Sequence, residues 1–186
     1  MQLVEAINIS LRALGESEIM SLNTSNPSAG AVRSIIDATR VSILSQGWWF
    51  NTVYIDIKPD IKEQVIKVPA RTLSVIDRHG NSIYTVKNKL LFDVNKFSSV
   101  FTDEVQLKLI IDTPFEELPE NIAQYIAYQA ASDMYTNDWG EDNKSQRLDY
   151  RAQQAYRLSL QEQLRIKKPS TKKSPIYRRI INGIRA

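Results

Sequence analysis

The chain has 186 residues, of which 24 are Lys or Arg and 21 are Asp or Glu, with one His and no Cys. This length fits one compact domain, with or without an insertion, and allows a hydrophobic core. The lack of Cys excludes disulfides, thiolate metal sites and cysteine nucleophiles, and a single His excludes His-rich metal sites. No apolar run reaches the ~18 residues of a membrane span, and the first residues lack a signal-peptide pattern, so we expect no membrane contact.

The net charge of +3 hides a strong segregation of charge along the chain. No acidic residue follows Glu162, and the remainder of the chain carries 16 basic and 21 acidic residues, a net charge of −5. The sequence therefore predicts a mildly acidic body with a basic C-terminal arm. The eight basic residues after Glu162 are Arg165, Lys167, Lys168, Lys172, Lys173, Arg178, Arg179 and Arg185.

Two helices are predicted in the first 50 residues. Apolar residues recur at spacings of three or four over 3–14, and Gly15 supplies a left-handed stop. Asn26-Pro27 offers a capping side chain followed by a proline at the first helical position, which predicts a second helix running to Gln46.

After Trp48 the hydrophobic period changes from that of a helix to that of a strand. Val53, Ile55 and Ile57 alternate with polar residues, which is typical of a half-buried strand. A series of short strands at this spacing predicts a small antiparallel sheet or sandwich. The further strands are predicted at 64–68, 72–77, 82–87, 90–94 and 104–111, with turns at His79-Gly80-Asn81 and Lys87-Asn88-Lys89.

Pro114 and Pro119 mark the return to helical periodicity. A third helix is predicted over 120–138, with apolar residues on two faces, and a long, Gln-rich fourth helix over about 143–167. The predicted fold class is α+β. A four-helix core (1–50 and 114–168) carries an inserted antiparallel β-sheet or sandwich domain (51–113) and a basic C-terminal arm (169–186).

Catalytic signatures are missing from the sequence. It contains no Gly-rich phosphate loop and no nucleophile elbow, and His79 lies in a predicted turn, where solvation is its expected role. The acidic doublets do not form catalytic pairs, because neighbours in a strand or helix point in different directions. These doublets are Asp103-Glu104, Glu116-Glu117 and Glu141-Asp142. We therefore expect no enzymatic activity, no cofactor and no metal.

Two features suggest binding or packing roles. The cluster Trp48, Trp49 and Phe50 could stack on sugars or bases, but aromatics at a helix-to-strand junction more often anchor a core, which we favour. The basic arm could be a solvated terminus, a nucleic-acid contact or a segment that docks on another protein. Docking ranks first, because large apolar residues are interspersed among the basic ones. The candidate arm residues are Lys167, Lys168, Lys172, Lys173, Ile176, Tyr177, Arg178, Arg179, Ile180, Ile181 and Arg185.

Several motifs occur together in a recognisable order. They are Leu11-x-x-Leu14-Gly15-Glu16 with Ile19 and Ser21-Leu22, then Gln46-Gly47-Trp48-Trp49-Phe50-Asn51, then Val68-Pro69, and finally Phe115-Glu116-Glu117-Leu118-Pro119. In this order and spacing, the chain resembles the tail tubular protein A family of T7-like short-tailed bacteriophages over roughly residues 5 to 165.

The resemblance implies a structural protein of the virion, made in the host bacterial cytoplasm. It implies a dodecameric ring that acts as a head-to-tail adaptor between the portal protein and the tail nozzle (tail tubular protein B), with tail fibres as a further partner. Double-stranded genomic DNA passes through such a ring, without sequence specificity, during ejection. The helix–strand–helix layout agrees with the helical adaptor core and β domain that this family implies.

A ring subunit needs two lateral faces, and the third helix offers apolar residues on both sides. The candidate ring-interface residues are Ile122, Tyr125, Ile126, Ala127 and Ala131. An acidic body is compatible with a lumen that repels phosphate, and the basic arm would reach the portal. Two alternatives stay open. One is a nucleic-acid-binding protein that acts through its tail, and the other is a carbohydrate-active virion protein that uses its β domain and an acid such as Glu104.

Overall fold

A computed structural model describes residues 1–23 and 25–168, and in this part of the chain the strands lie between the second and third helices. The predicted α+β fold class is therefore confirmed. The helices are α1 (Leu3–Leu14), α2 (Pro27–Leu44), α3 (Glu120–Trp139) and α4 (Asn143–Lys167). The strands are β1 (Thr52–Ile57), β2 (Thr72–Asp77), β3 (Tyr84–Lys87), β4 (Leu90–Asp93) and β5 (Val105–Ile111), and a 3-10 turn at Phe115–Glu117 precedes α3.

The helix ends follow local capping chemistry. Gly15 adopts the left-handed conformation (φ 81°), and its N–H and that of Glu16 donate back to the last turn of α1. The Asn26 side chain accepts a hydrogen bond from the N–H of Ala29 at 3.2 Å and starts α2. That helix ends at Leu44, two residues before the predicted end at Gln46, because the chain already turns toward the left-handed Gly47 (φ 76°).

The strands form two antiparallel groups. In the three-stranded sheet the order is β1-β5-β2, so the last strand lies between the first two. The second group is the hairpin β3-β4, whose turn residues Asn88 and Lys89 both have positive φ, as a two-residue type I′ connection requires. The β insertion is thus built around β5, which pairs with β1 on one side and β2 on the other.

The predicted strand at 64–68 is wrong. This segment makes only an isolated antiparallel bridge between Lys67 and Leu90, held by hydrogen bonds from the Val68 and Leu91 amides. Gln64 has a left-handed φ of 54°, and Pro69 has no N–H to donate, so a regular ladder cannot extend in either direction. The apolar side chains that suggested a strand are still used, because Ile66 and Val68 are buried.

Two large hydrophobic clusters stabilise the chain. One consists of residues from α1, α2 and α3 together with Trp48 and Phe115, and α3 lies at its centre because it packs against α1, α2 and α4. The other lies in the β insertion and is formed around Leu91, Leu107 and Leu109. The predicted strand at 104–111 is confirmed as β5, in which Val105, Leu107 and Leu109 are buried on one face.

Candidate functional site

Asn51 joins the helical and β parts of the molecule at the end of the aromatic cluster. Its side chain is buried, and its Oδ1 accepts a hydrogen bond from the N–H of Trp48 at 2.8 Å. Its Nδ2 donates to the carbonyl of Leu44 at 2.9 Å and to the carbonyl of Ile111 at 3.1 Å. One amide thus connects the end of α2, the start of β1 and the end of β5, and it fixes how the β insertion leaves the helices.

The aromatic cluster lies at the same junction. Trp48 is 1% exposed, and its Nε1 donates to the carbonyl of Ile43 at 2.8 Å. It makes edge-on ring contacts with Trp49 and with Tyr156 of α4, at centroid distances of 6.0 and 5.9 Å. Trp49 and Phe50 are partly buried and pack against the same core. The structure thus places Trp48 inside the protein, where it has no face available for a sugar or a base.

The C-terminal end of α4 also contacts this junction. The Lys167 ammonium donates to the carbonyl of Gly47 at 3.4 Å, and the Tyr156 hydroxyl lies 3.4 Å from Oε1 of Gln46. Burial lowers the pKa of Lys167, and the nearby charge of Lys108 lowers it further.

The other predicted arm residues lie beyond the end of α4. Lys168 is exposed and is the last residue that the structure describes. Lys172, Lys173, Ile176, Tyr177, Arg178, Arg179, Ile180, Ile181 and Arg185 lie outside the described residues.

The residues predicted to form a ring interface on α3 occupy a different position. Ile122, Ile126, Ala127 and Ala131 are all 0% exposed, because α1, α2 and α4 of the same chain cover this helix. These four side chains belong to the core of the protomer and have no surface to offer a neighbour, so their assignment to a ring interface is corrected. Tyr125 is half-buried against Tyr156, and this burial raises its pKa.

The β insertion carries an open groove of about 440 Å³ with several acids, including Glu104 and Asp103. Two of its carboxylates have structural roles, because Asp77 and Asp93 each accept hydrogen bonds from two N–H groups of the turn that follows. The ring of His79 lies in the same groove, with Nε2 2.7 Å from the side-chain oxygen of Gln106. Within the described residues, no group of three His, Asp or Glu side chains has the geometry of a metal site.

Charge on the last two helices is strongly segregated. Between Lys108 and Lys144 the chain has eight acidic and no basic residues, whereas α4 carries six basic and two acidic ones. A groove of about 480 Å³ lies at the contact of α2, α3 and α4 and is lined by Asp133, Glu141 and Asp149, with no Lys or Arg in its lining. The α3–α4 pair therefore presents an acidic groove and a basic helix surface.

Comparison with known proteins decides the family. The family model described as tail tubular protein matches residues 4–169. Tail tubular protein A of Klebsiella phage KP34 is 39% identical over 180 residues, which cover 97% of this chain and 96% of that protein. The chain belongs to the tail tubular protein family. It is accordingly a structural component of a phage virion, and the predicted resemblance is confirmed.

For this tail tubular protein, the structure shows that the most recognisable motif serves the fold. The stretch from Gln46 to Asn51 connects α2, the β insertion and α4 through Trp48 and Asn51. None of the described helices is long and apolar enough to cross a membrane.

Sequence reasoning missed two buried amides in this tail tubular protein. Asn51 is the last residue of the motif that begins at Gln46, but the sequence alone assigns it no role. Asn8 lies on the inner face of α1. The Asn8 side chain exchanges two hydrogen bonds with the backbone of Ile19, at 2.9 and 3.0 Å, and thereby fixes the loop between α1 and α2. A polar residue at an inward-facing position of an amphipathic helix was the available signal for Asn8.

Proposed function

We propose that this tail tubular protein forms a dodecameric ring that joins the portal protein to the tail nozzle, with genomic DNA passing through its centre during ejection. The observation that carries the proposal is the match to tail tubular protein A over 97% of the chain. The role is structural, and the proposal includes no enzymatic step.

The two hydrophobic clusters support different roles for the helical part and the β insertion of the subunit. The helical residues 1–50 and 114–168 form the body of the ring, and the β insertion 51–113 is a separate domain carried by it. Each part has its own buried cluster, and the Asn51 hydrogen bonds and the contact of Arg40 with Asp112 and the Thr113 carbonyl connect the two. In this proposal, the β domain is the surface available to tail fibres.

The C-terminal arm, 169–186, is proposed to dock on the portal. The end of α4 is held against the junction by the Lys167 contact with Gly47, so the arm departs from a fixed point of the body. Its combination of basic and large apolar residues suits a segment that becomes ordered on a protein partner. DNA phosphates would pair with the basic residues but would leave the apolar ones without a contact. The acidic body suits a lumen that does not hold DNA phosphates.

Mass measurement of the purified protein, alone and mixed with the portal protein, tests this proposal. The expected result is a complex that contains twelve copies of the chain. It should form in the mixture with portal, whether or not the protein alone also assembles. A chain that stays monomeric at high concentration in the presence of portal would overturn the proposal. Salt-sensitive retention of DNA by the monomer, lost on removal of 166–186, would instead support a nucleic-acid-binding protein.

A further inference from the structure

The surface of α4 that faces away from the acidic groove carries a row of arginines. A helix turns about 100° per residue, so Arg147, Arg151, Leu158 and Arg165 all lie within about 20° of the direction opposite Asp149. All four are exposed, and Leu158 is 44% exposed despite being apolar. We call these four residues the arginine stripe.

The arginine stripe has no acidic partner within the described part of its own chain. None of its three arginines forms an ion pair there, and the Arg151 guanidinium lies over the ring of Tyr128, 5.5 Å from its centroid. Three cations and one leucine thus follow one side of this 25-residue helix over about 27 Å, and the half-buried Glu162, which lies near the same side, accepts a hydrogen bond from Asn121 of α3 at 3.5 Å. Such a surface suits a partner with carboxylates around a small apolar patch.

The acidic groove has the complementary composition. Asp133, Glu141 and Asp149 contribute three carboxylates, and the half-buried Ile35 is the apolar residue of the same lining, beside neutral polar side chains. Because Asp149 lies on the opposite side of α4 from the arginine stripe, the two surfaces point in opposite directions from the same helix. Two complementary surfaces on opposite sides of one subunit produce head-to-tail association, which closes into a ring when the rotation permits.

We infer that the arginine stripe of one copy docks in the acidic groove of the next copy and forms the lateral contact of the ring. This inference rests on the proposed function and names the surfaces through which it operates. In this contact Leu158 meets Ile35, and the arginines meet the three carboxylates. The contact replaces the α3 surface that the sequence suggested, which is already buried inside the protomer.

Charge reversal tests the contact directly. The triple variants R147E/R151E/R165E and D133K/E141K/D149K each place like charges on both surfaces, so each should need at least ~100-fold more protein than the wild type to assemble. A 1:1 mixture of the two should assemble again, with the two chains alternating and an even number of copies. The matched control K58E/K62E/K96E changes the same number of charges on the exposed surface of the β insertion and should assemble like the wild type.

Engineered cross-links give a second readout, because the natural chain has no Cys. Thr136 lines the acidic groove. A chain that carries Leu158→Cys, mixed with a second chain that carries Thr136→Cys, should form disulfide-linked pairs, and these should persist after removal of 169–186. Leu158→Cys mixed with Asn95→Cys should give none. Dependence on the arm would show that the arm, and not α4, fills the groove, and would overturn the inference.

The outcomes separate the inference from the proposed function. If the wild type forms a twelve-membered ring and both charge-reversed variants do so equally well, the inference is overturned and the ring stands. The inference is likewise overturned, and the ring stands, if the two charge-reversed variants are folded but fail to assemble with each other when mixed. If the wild type does not assemble even with portal, the proposed function fails and the inference with it.

Discussion

At the residue scale, two buried amide side chains hold neighbouring segments of the chain in position. The Asn51 side chain accepts from the Trp48 N–H in the connection after α2 and donates to carbonyls at the end of α2 and the end of β5, and the Asn8 side chain bonds both the N–H and the carbonyl of Ile19. Such groups stabilise only while every partner is present, since an orphaned buried N–H or carbonyl carries its full desolvation cost. The position of the β insertion relative to the helices therefore depends strongly on one side chain.

Replacing Asn51 with Ala should destabilise the monomer by about 2–4 kcal/mol, because the Trp48 N–H loses its acceptor and the carbonyls of Leu44 and Ile111 each lose one hydrogen bond. Urea unfolding measures the change. Asn95→Ala, at an exposed turn position, is the matched control and should change the free energy of unfolding by no more than about 0.5 kcal/mol. Equal effects at the two positions would contradict the assigned role of Asn51.

The stability of the folded protein should depend on pH through Asp142, which caps the start of α4. Hydrogen bonds from the Ser145 N–H, the Tyr135 hydroxyl and the Lys144 N–H lower the pKa of its carboxyl below the ordinary value. Because the folded state prefers the charged form, the contribution is present above the ordinary pKa of ~3.9 and is lost as pH falls through the lowered value.

The wild type should therefore be more stable than Asp142→Ala at pH 7 and pH 5, and the difference should shrink below about pH 4. Urea unfolding at several pH values measures it. Asp138→Ala is a suitable control, because this exposed residue near the end of α3 does not cap α4. A difference that stays constant down to pH 2 would argue against the capping role of Asp142.

At the scale of elements, the sequence predicts the helices well, because hydrophobic periodicity and capping residues act within one element. Features that depend on contacts between elements are not predictable in this way. The 12-residue α1 and the 25-residue α4 follow from apolar spacing and caps that act within the element, so the sequence reveals both. The segment 64–68 shows the limit, because its apolar residues are buried in an irregular conformation determined by Gln64. Strand order is also invisible in the pattern, since β5 pairs with both β1 and β2 across long stretches of chain.

The surface of α3 was mispredicted for a related reason. Two apolar faces on one helix indicate two packed sides, but they do not reveal whether the partner is the same chain or a neighbour. In this molecule, α1, α2 and α4 cover both faces. The acidic groove could not be recognised from the sequence, because it combines residues of α2, α3 and α4, and the exposure of the arginine stripe depends on how α4 is rotated against α3.

Enlarging a small residue on α3 separates the two assignments. Ala131→Leu should destabilise the monomer by about 1–3 kcal/mol, because the site is 0% exposed and has no room for a larger side chain. Ala38→Leu, on the exposed face of α2, should change stability by no more than about 0.5 kcal/mol. Thermal unfolding of the monomer measures both. An Ala131→Leu monomer of normal stability that fails only in assembly would restore α3 as an interface.

At the scale of the whole molecule, the distribution of charge is more informative than its sum. The net +3 divides into an acidic body and a basic arm, and the body itself has separate acidic and basic surfaces. This arrangement suits a subunit that binds neighbours laterally and a different protein through its C terminus. The two contacts should therefore be separable by mutation.

Removal of 169–186 should leave the fold and the lateral contact intact, because residues within 1–168 form both large hydrophobic clusters and carry the arginine stripe and the acidic groove. Binding to the portal should fall at least tenfold. Sedimentation with and without portal measures both properties. Unchanged portal binding would contradict the docking role of the arm, and a loss of fold would show that the arm belongs to the body.

Electron microscopy of the assembled virion, with the chain located by its fold, tests directly whether this protein forms the proposed ring. We expect a ring of twelve copies between the portal and the tail nozzle, with an open centre wide enough for double-stranded DNA. In this ring, the α4 arginine stripe of each copy faces the Asp133–Asp149 groove of the next. Density for the chain at any other location, or as isolated copies without a ring, would contradict it.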